Sequence, residues 1–278
     1  MNCIKKILIL SMLHFSFIFS SEERIVTIGG VITEIVFALE AGKHVIAVDQ
    51  SSTIPSSVTN LPQVGYIRSI SSEGILSVMP TLIITSSEIG PLNTVNQLKQ
   101  SGVEMKILDS PQNYNDIINL VGEISKILNV EENGKKIIKK LSKDFDLIQQ
   151  KLLNQKQLTK IIFFMDAGNS GSYNAAGNNT KANYLIELVG GINCYKDIFN
   201  RYSKITSESI INMNPDVILI AGMSKKSVLR NDIISKKEFN SIKAVKNEQV
   251  HFIDLGYFLT FGTNISNSAL NIIDLIDK

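Results

Sequence analysis

The sequence predicts an α/β fold of two similar Rossmann-like lobes, joined by a single long interdomain helix and enclosing a ligand cleft. Three observations predict it. Short apolar strands alternate with helical segments near the start of the chain and again from about residue 156, an order that implies parallel sheets. Between these runs, residues 115–155 carry apolar side chains three and four positions apart, the mark of one buried helix face. One short unit also occurs in both halves. Ser72-Glu73-Gly74-Ile75 is followed by Pro80 and Leu82-Ile83-Ile84, and Ser207-Glu208-Ser209-Ile210 by Pro215 and Val217-Ile218-Leu219. The same unit on either side of a long helix makes two lobes, and open α/β sheets bind ligands outside the carboxyl ends of their strands.

The expected elements run in order. Residues 21–114 form the N-terminal lobe. A strand at Arg24–Ile28 meets Gly29-Gly30, and a helix at Thr33–Leu39 is capped by Thr33 and stopped at Gly42. Strands follow at Val45–Val48, Thr81–Thr85 and Met105–Leu108, with a Ser/Thr/Pro-rich loop at Ser51–Pro62 and a helix near Leu92–Gln100. Residues 115–155 read as a nearly continuous helix in which Gly134 marks a break. Residues 156–278 form the C-terminal lobe. Its strands are Lys160–Met165, Val217–Ile220 and Val250–Ile253, its Gly/Asn/Ser-rich loop is Asp166–Asn179, and its helices are Lys181–Val189, closed by Gly190-Gly191, and Ser266–Ile276.

Composition narrows the class. The 278 residues are 44% hydrophobic and 19% charged, ordinary for a chain that buries a sizeable core. Residues 1–20 read as a signal peptide: Lys5 and Lys6 precede the apolar run Ile7–Phe19, and Ser20-Ser21 follows. That run is short beside the roughly 20 residues of a membrane span. Without it the chain holds 26 basic and 26 acidic residues, a balance that argues against nucleic acid as a partner. Cys3 precedes the apolar run, so it is not placed to carry a lipid anchor, and Cys194 is left unpaired as a small buried residue. The expected location is the periplasm of a double-membraned bacterium. No Gly-x-Ser-x-Gly, His-Glu-x-x-His or phosphate-binding Gly-Lys-Ser/Thr motif is present, and no enzyme activity is expected.

Three stretches carry a family resemblance: Ile28-Gly29-Gly30-Val31-Ile32-Thr33-Glu34-Ile35-Val36, Leu61-Pro62-Gln63-Val64-Gly65-Tyr66-Ile67-Arg68, and Ser72-Glu73-Gly74-Ile75-Leu76-Ser77. Ala175-Ala176-Gly177 and Phe261-Gly262-Thr263 fit as well. Together they resemble the helical-backbone (class III) solute-binding proteins that serve ATP-driven importers of haem, cobalamin and iron–siderophores, and most closely the haem-binding branch.

The resemblance implies that Tyr66 coordinates haem iron as a tyrosinate. Ferric iron favours an oxygen anion and tyrosinate is a proximal haem ligand. Free tyrosine titrates near pH 10, but a metal ion and an adjacent cation favour the phenolate. Arg68 is placed to be that cation, or to pair with a haem propionate. Without the resemblance, the two read as a loop tyrosine and a solvated arginine. The resemblance also implies that Glu73 and Glu208 dock onto arginines of an ABC importer permease, one per lobe; read alone, each is a carboxylate favoured by a helix N-terminus.

Tyr173, Asn174 and Asn178 are weaker cleft candidates. Tyr257, Phe258 and Phe261 offer apolar surface to a flat macrocycle or pack in the core, and Tyr202 belongs to the cleft or the surface. His44 and His251 are not expected to be ligands. The expected partners are haem, as cargo rather than catalytic cofactor, and the permease; the protein is expected to be monomeric. A siderophore or corrinoid carrier is the alternative within the class, with Tyr66 as a stacking residue, and a periplasmic α/β enzyme the alternative outside it. A continuous interlobe helix resists a wide hinge, so only modest closure is expected.

Overall fold

The computed structural model describes residues 23–153, 158–165, 173–222, 228–254 and 261–276. The expected signal peptide, Tyr257 and Phe258 lie outside the described residues.

Strands β1 (Ile25–Ile28), β2 (Val45–Val48), β3 (Leu82–Ser86) and β4 (Glu104–Leu108) form one parallel sheet in the order β2-β1-β3-β4. The central β1 and β3 are buried along their whole length, as continuous apolar strands of a covered parallel sheet should be. Helices α1 (Gly30–Ala38), α2 (Ser72–Leu76) and α3 (Leu92–Gln100) connect them. Helix α1 departs from expectation at both ends. It starts at Gly30 rather than Thr33. The Thr33 hydroxyl caps nothing: it is buried and shares hydrogen bonds with the hydroxyls of Thr27 (2.8 Å) and Ser52 (2.6 Å). The left-handed residue beyond the helix is Glu40 (φ 64), while Gly42 opens a separate 3₁₀ turn.

The interlobe region is two helices, α4 (Tyr114–Ile127) and α5 (Glu131–Leu153). The break falls at residues 128–130, where Asn129 adopts φ 54, and not at Gly134. Gly134 instead lies where α5 meets α4. A Cβ on it would stand 2.6 Å from Ser125 Oγ and 2.7 Å from Ser125 Cβ, so glycine permits the close approach. The 23 residues of α5 extend about 34 Å at ~1.5 Å per residue. Near its start, Asn133 donates to the Leu39 carbonyl of the first lobe (3.0 Å).

The second lobe holds β5 (Thr159–Met165), β6 (Tyr173–Ala176), β7 (Gly191–Asn193), β8 (Tyr202–Ile205), β9 (Val217–Gly222) and β10 (Val250–Asp254), in the order β10-β9-β5-β6-β8 with β7 also on β5. Strands β10, β9, β5 and β7 are parallel, whereas β6 and β8 pair antiparallel. The parallel strands β5, β9 and β10 match expectation; β6, β7 and β8 do not. All three are only three or four residues long, too short to show a period of their own, so their strand character comes from their partners rather than their own propensity. Helices α6 (Lys181–Leu188), α7 (Ser207–Met213), α8 (Val228–Ser235), α9 (Lys243–Lys246) and α10 (Ile265–Ile276) complete the lobe. Lys151, near the end of α5, pairs with Asp274 of α10 at 2.8 Å.

One apolar core links the lobes. It runs from Ile25 and Ile35 through Ile124, Leu141 and Ile148 to Phe163 and Ile272. A polar anchor reinforces the junction. Glu34 of α1 is buried and its Oε1 accepts hydrogen bonds from Thr263 Oγ1 (2.7 Å), the Asn264 amide (3.0 Å) and Asn264 Nδ2 (3.1 Å), just before α10.

Candidate functional site

A cleft of about 600 Å³ opens between the lobes, within the ~300–1,000 Å³ usual for small-molecule sites. Its first-lobe wall is the set of loops that leave the carboxyl ends of β1, β2, β3 and β4: Gly29–Val31, Gln50 and Ser51, Glu88, and Ser110. Met165 at the end of β5 faces them from the second lobe, with Asn179, Thr180, Lys181, Arg201 and Tyr202.

Tyr66 lies on this wall with 45% of its surface exposed. The segment around it alternates: Ile67 and Ile70 are buried in the core, while Tyr66, Arg68 and Ser69 face outward. Backbone bonds fix that register, from Ser69 N to Tyr66 O (2.8 Å), Gly90 N to Ile67 O (2.9 Å) and Ile70 N to Gly90 O (3.1 Å). The phenol therefore stands on a loop whose neighbours are anchored in apolar packing and hydrogen bonds.

Arg68 also lines the cleft, but its partner is Glu88, at 2.8 Å between Nη2 and Oε2. The hydrogen bond and charge of Glu88 raise the guanidinium pKa, with a smaller contribution from Tyr66. Burial, the largest influence on Glu88, pushes its carboxyl upward; Arg68, Lys181 and Ser110 outweigh it and leave the carboxyl below its usual range. Burial draws the Lys181 ammonium down, against the favourable charge of Glu88. Lys181 comes from the opposite lobe, at the first position of α6, and lies 5.6 Å from the centre of the Phe261 ring.

Asp49, just beyond β2, organises the same wall. It is fully buried and accepts from the Gly29 amide (2.8 Å), the Ser51 amide (3.0 Å), Ser51 Oγ (2.6 Å) and Ser52 Oγ (2.7 Å). Ser51 Oγ in turn accepts from the Gly30 amide at 3.1 Å. Sequence reasoning missed Asp49; an Asp at a strand end followed by Ser51-Ser52 was the available signal. In the second lobe, Gly177 N donates to Arg201 O and Arg201 N to Asn178 O, both at 2.7 Å. A Cβ on Gly177 would come within 2.1 Å of the Phe199 carbonyl oxygen. This close approach holds Arg201 at the cleft, and nothing in the sequence pattern marked Arg201, Lys181 or Glu88 in advance.

Several candidates fall elsewhere. Tyr173 is buried in the second-lobe core, its hydroxyl bonded to Asp232 (2.7 Å) and Lys236 (3.0 Å) and its ring packed on Phe164 and Phe239. Asn178 is bridged to Asn200 and its side chain accepts from the Asn179 amide; Asn179, not Asn178, lines the cleft. Phe261 is fully buried, edge-on to Tyr184, and Tyr202 is a cleft residue. Glu73 and Glu208 sit in the first turns of their short helices, α2 capped by Ser71 and α7 by Thr206.

Two α/β lobes bridged by the helices α4 and α5, with a solvent-open cleft of small-molecule size, define the class of two-lobed binding proteins. The chain belongs to the periplasmic binding protein family, whose model matches residues 25–255. The structure is similar to that of the periplasmic haem-binding protein HutB of Vibrio cholerae, with TM-score 0.81, 29% identity, and 93% of this chain and 100% of that chain covered. The high-affinity haem uptake system protein IsdE of Staphylococcus aureus is 25% identical over 239 residues, 81% of this chain and 78% of its own length. The vitamin B12-binding protein of Vibrio parahaemolyticus is 22% identical over 228 residues, 82% of this chain and 80% of its own length.

Proposed function

We propose that this protein is exported through residues 1–20, captures haem in the interlobe cleft with Tyr66 as the iron ligand, and delivers it to an ABC importer permease. The observation that carries the reading is the exposed phenol of Tyr66 in a cleft lined by Arg68, Lys181 and Arg201. A hard oxygen donor suits ferric iron, and cations around it suit the two carboxylates of a porphyrin. The haem-binding description of HutB supports the same ligand.

Haemin titrated into the mature protein should give a saturable high-spin ferric tyrosinate spectrum that Tyr66→Phe abolishes. Saturation that survives the substitution would keep haem and remove Tyr66 as its ligand. No specific change in the wild type would reject haem and move the test to cyanocobalamin and ferric siderophores, the first of which the Vibrio parahaemolyticus relative favours.

The docking role of Glu73 and Glu208 is part of the proposal. They hold matching positions in the two lobes, and among the described residues neither has an ion-pair partner. Glu73→Ala/Glu208→Ala should bind haemin as the wild type does and fail to stimulate ATP hydrolysis by the importer reconstituted with it.

A further inference from the structure

The cleft carries its own anion. Among its described lining residues, Arg68, Lys181 and Arg201 bring positive charge and Glu88 alone brings negative charge. Glu88 sits directly on Arg68 at 2.8 Å, and the pair is open to solvent, with 56% of the arginine and 37% of the glutamate side chain exposed. An exposed pair of this kind is weak and exchangeable. A guanidinium binds any carboxylate of suitable geometry in the same way. The glutamate therefore occupies the position that a carboxylate of an incoming ligand would take.

Lys181 points the same way from the opposite wall. It stands at the first position of α6, where the helix dipole opposes a cation. The Phe261 ring at 5.6 Å and the Glu88 charge both favour it there. Cations thus face the cleft from both walls, as a ligand with more than one carboxylate would need.

We infer that Glu88 is a built-in competitor. It holds Arg68 in the ligand-free cleft, is displaced by a ligand carboxylate, and returns to Arg68 when the ligand leaves. It thereby limits affinity for carboxylate-bearing ligands and promotes their release, as a carrier that must surrender its cargo requires. The displacement rests on the haem reading; the pairing of Glu88 with Arg68 does not.

The test uses Glu88→Gln, which keeps the shape of the side chain, with Glu88→Ala as a second variant, both checked for native thermal unfolding. In the ligand-free protein, phenylglyoxal should modify Arg68 about fivefold faster in Glu88→Gln than in wild type, read by peptide mass spectrometry. Equal rates would show that Glu88 does not occupy Arg68 and would overturn the inference. With ligand, the ratio of affinities for haemin over its dimethyl ester should rise about fivefold in the variant, and haemin transfer to apomyoglobin should slow by a similar factor. A ratio that is unchanged or lower would overturn displacement. If the wild type binds neither porphyrin, the haem reading falls and displacement with it, while the reagent rates still decide the pairing.

Discussion

At the scale of the residue, the cleft is built by alternation. Tyr66 and Arg68 face the cleft because Ile67 and Ile70 between and beyond them are driven into the core. Burial of such side chains is worth about 1.5–3 kcal/mol each, which fixes the direction of the polar neighbours. Tyr173 shows the opposite outcome. Its ring packs on Phe164 and Phe239, and its hydroxyl links Asp232 to Lys236. Tyr173→Phe should destabilise the protein by about 1–3 kcal/mol through the hydrogen bonds its carboxylate and ammonium neighbours lose, measured by urea unfolding, and should leave haemin affinity unchanged. Burial pushes the Cys194 thiol up to about 11. Only the thiolate is alkylated, so iodoacetamide at pH 8 should label the native mature protein slowly and the urea-unfolded chain rapidly. Comparable rates would place Cys194 at an open surface.

At the scale of the element, the two helices between the lobes respond differently to the same substitution. Gly134 faces Ser125 across the α4–α5 contact, where a Cβ would meet the Ser125 Cβ at 2.7 Å. Gly122, within α4, has nothing within 4 Å of the position an alanine methyl would take. Alanine is the better helix former by about 1 kcal/mol. Gly122→Ala should therefore raise the unfolding midpoint, and Gly134→Ala should lower it because α5 must shift off α4. Stabilisation by both would mean that the helices do not touch at Ser125. The repeated unit is an element-scale result of another kind. Ser71 and Thr206 cap α2 and α7 by accepting from the amide three residues on, Gly74 and Ser209. The two lobes thus present Glu73 and Glu208 by the same local mechanism.

At the scale of the molecule, the continuous core and α5 couple the lobes. Ile148 and Leu141 lie in that core with no more than 1% exposure, and a close-packed interior resists shear. Scattering from the ligand-free and haemin-bound protein should show only a small compaction; a large one would mean that the core opens at the junction. Glu34 adds the polar part of the coupling through Thr263 and Asn264. Glu34→Ala leaves those donors without their acceptor and opens a gap beside Gly262, whose Cβ position lies 2.6 Å from the carboxylate. It should cost about 2–4 kcal/mol and increase the difference between the two scattering curves.

Most strands of the parallel sheets and the helical span between the lobes can be read from the chain alone, because they depend on local apolar periodicity, and the repeated unit implies the two lobes. Ile25–Ile28, Leu82–Ser86 and Val217–Gly222 were legible for that reason, and so was the helical character of α5, though not the break before it at residues 128–130. Glu73 and Glu208 stand out through the repeated unit, and Tyr66 and Arg68 through the family resemblance of the stretch that holds them. The rest follows from packing between distant segments. Strands β6 and β8 exist because each finds the other, and Thr33 is a core hydroxyl because Thr27 and Ser52 converge on it. Glu88, Lys181 and Arg201 form one charged site although they are far apart in the chain. Long-range pairing of charges leaves no periodic trace in a sequence, and only the packing of one lobe against the other brings those groups together.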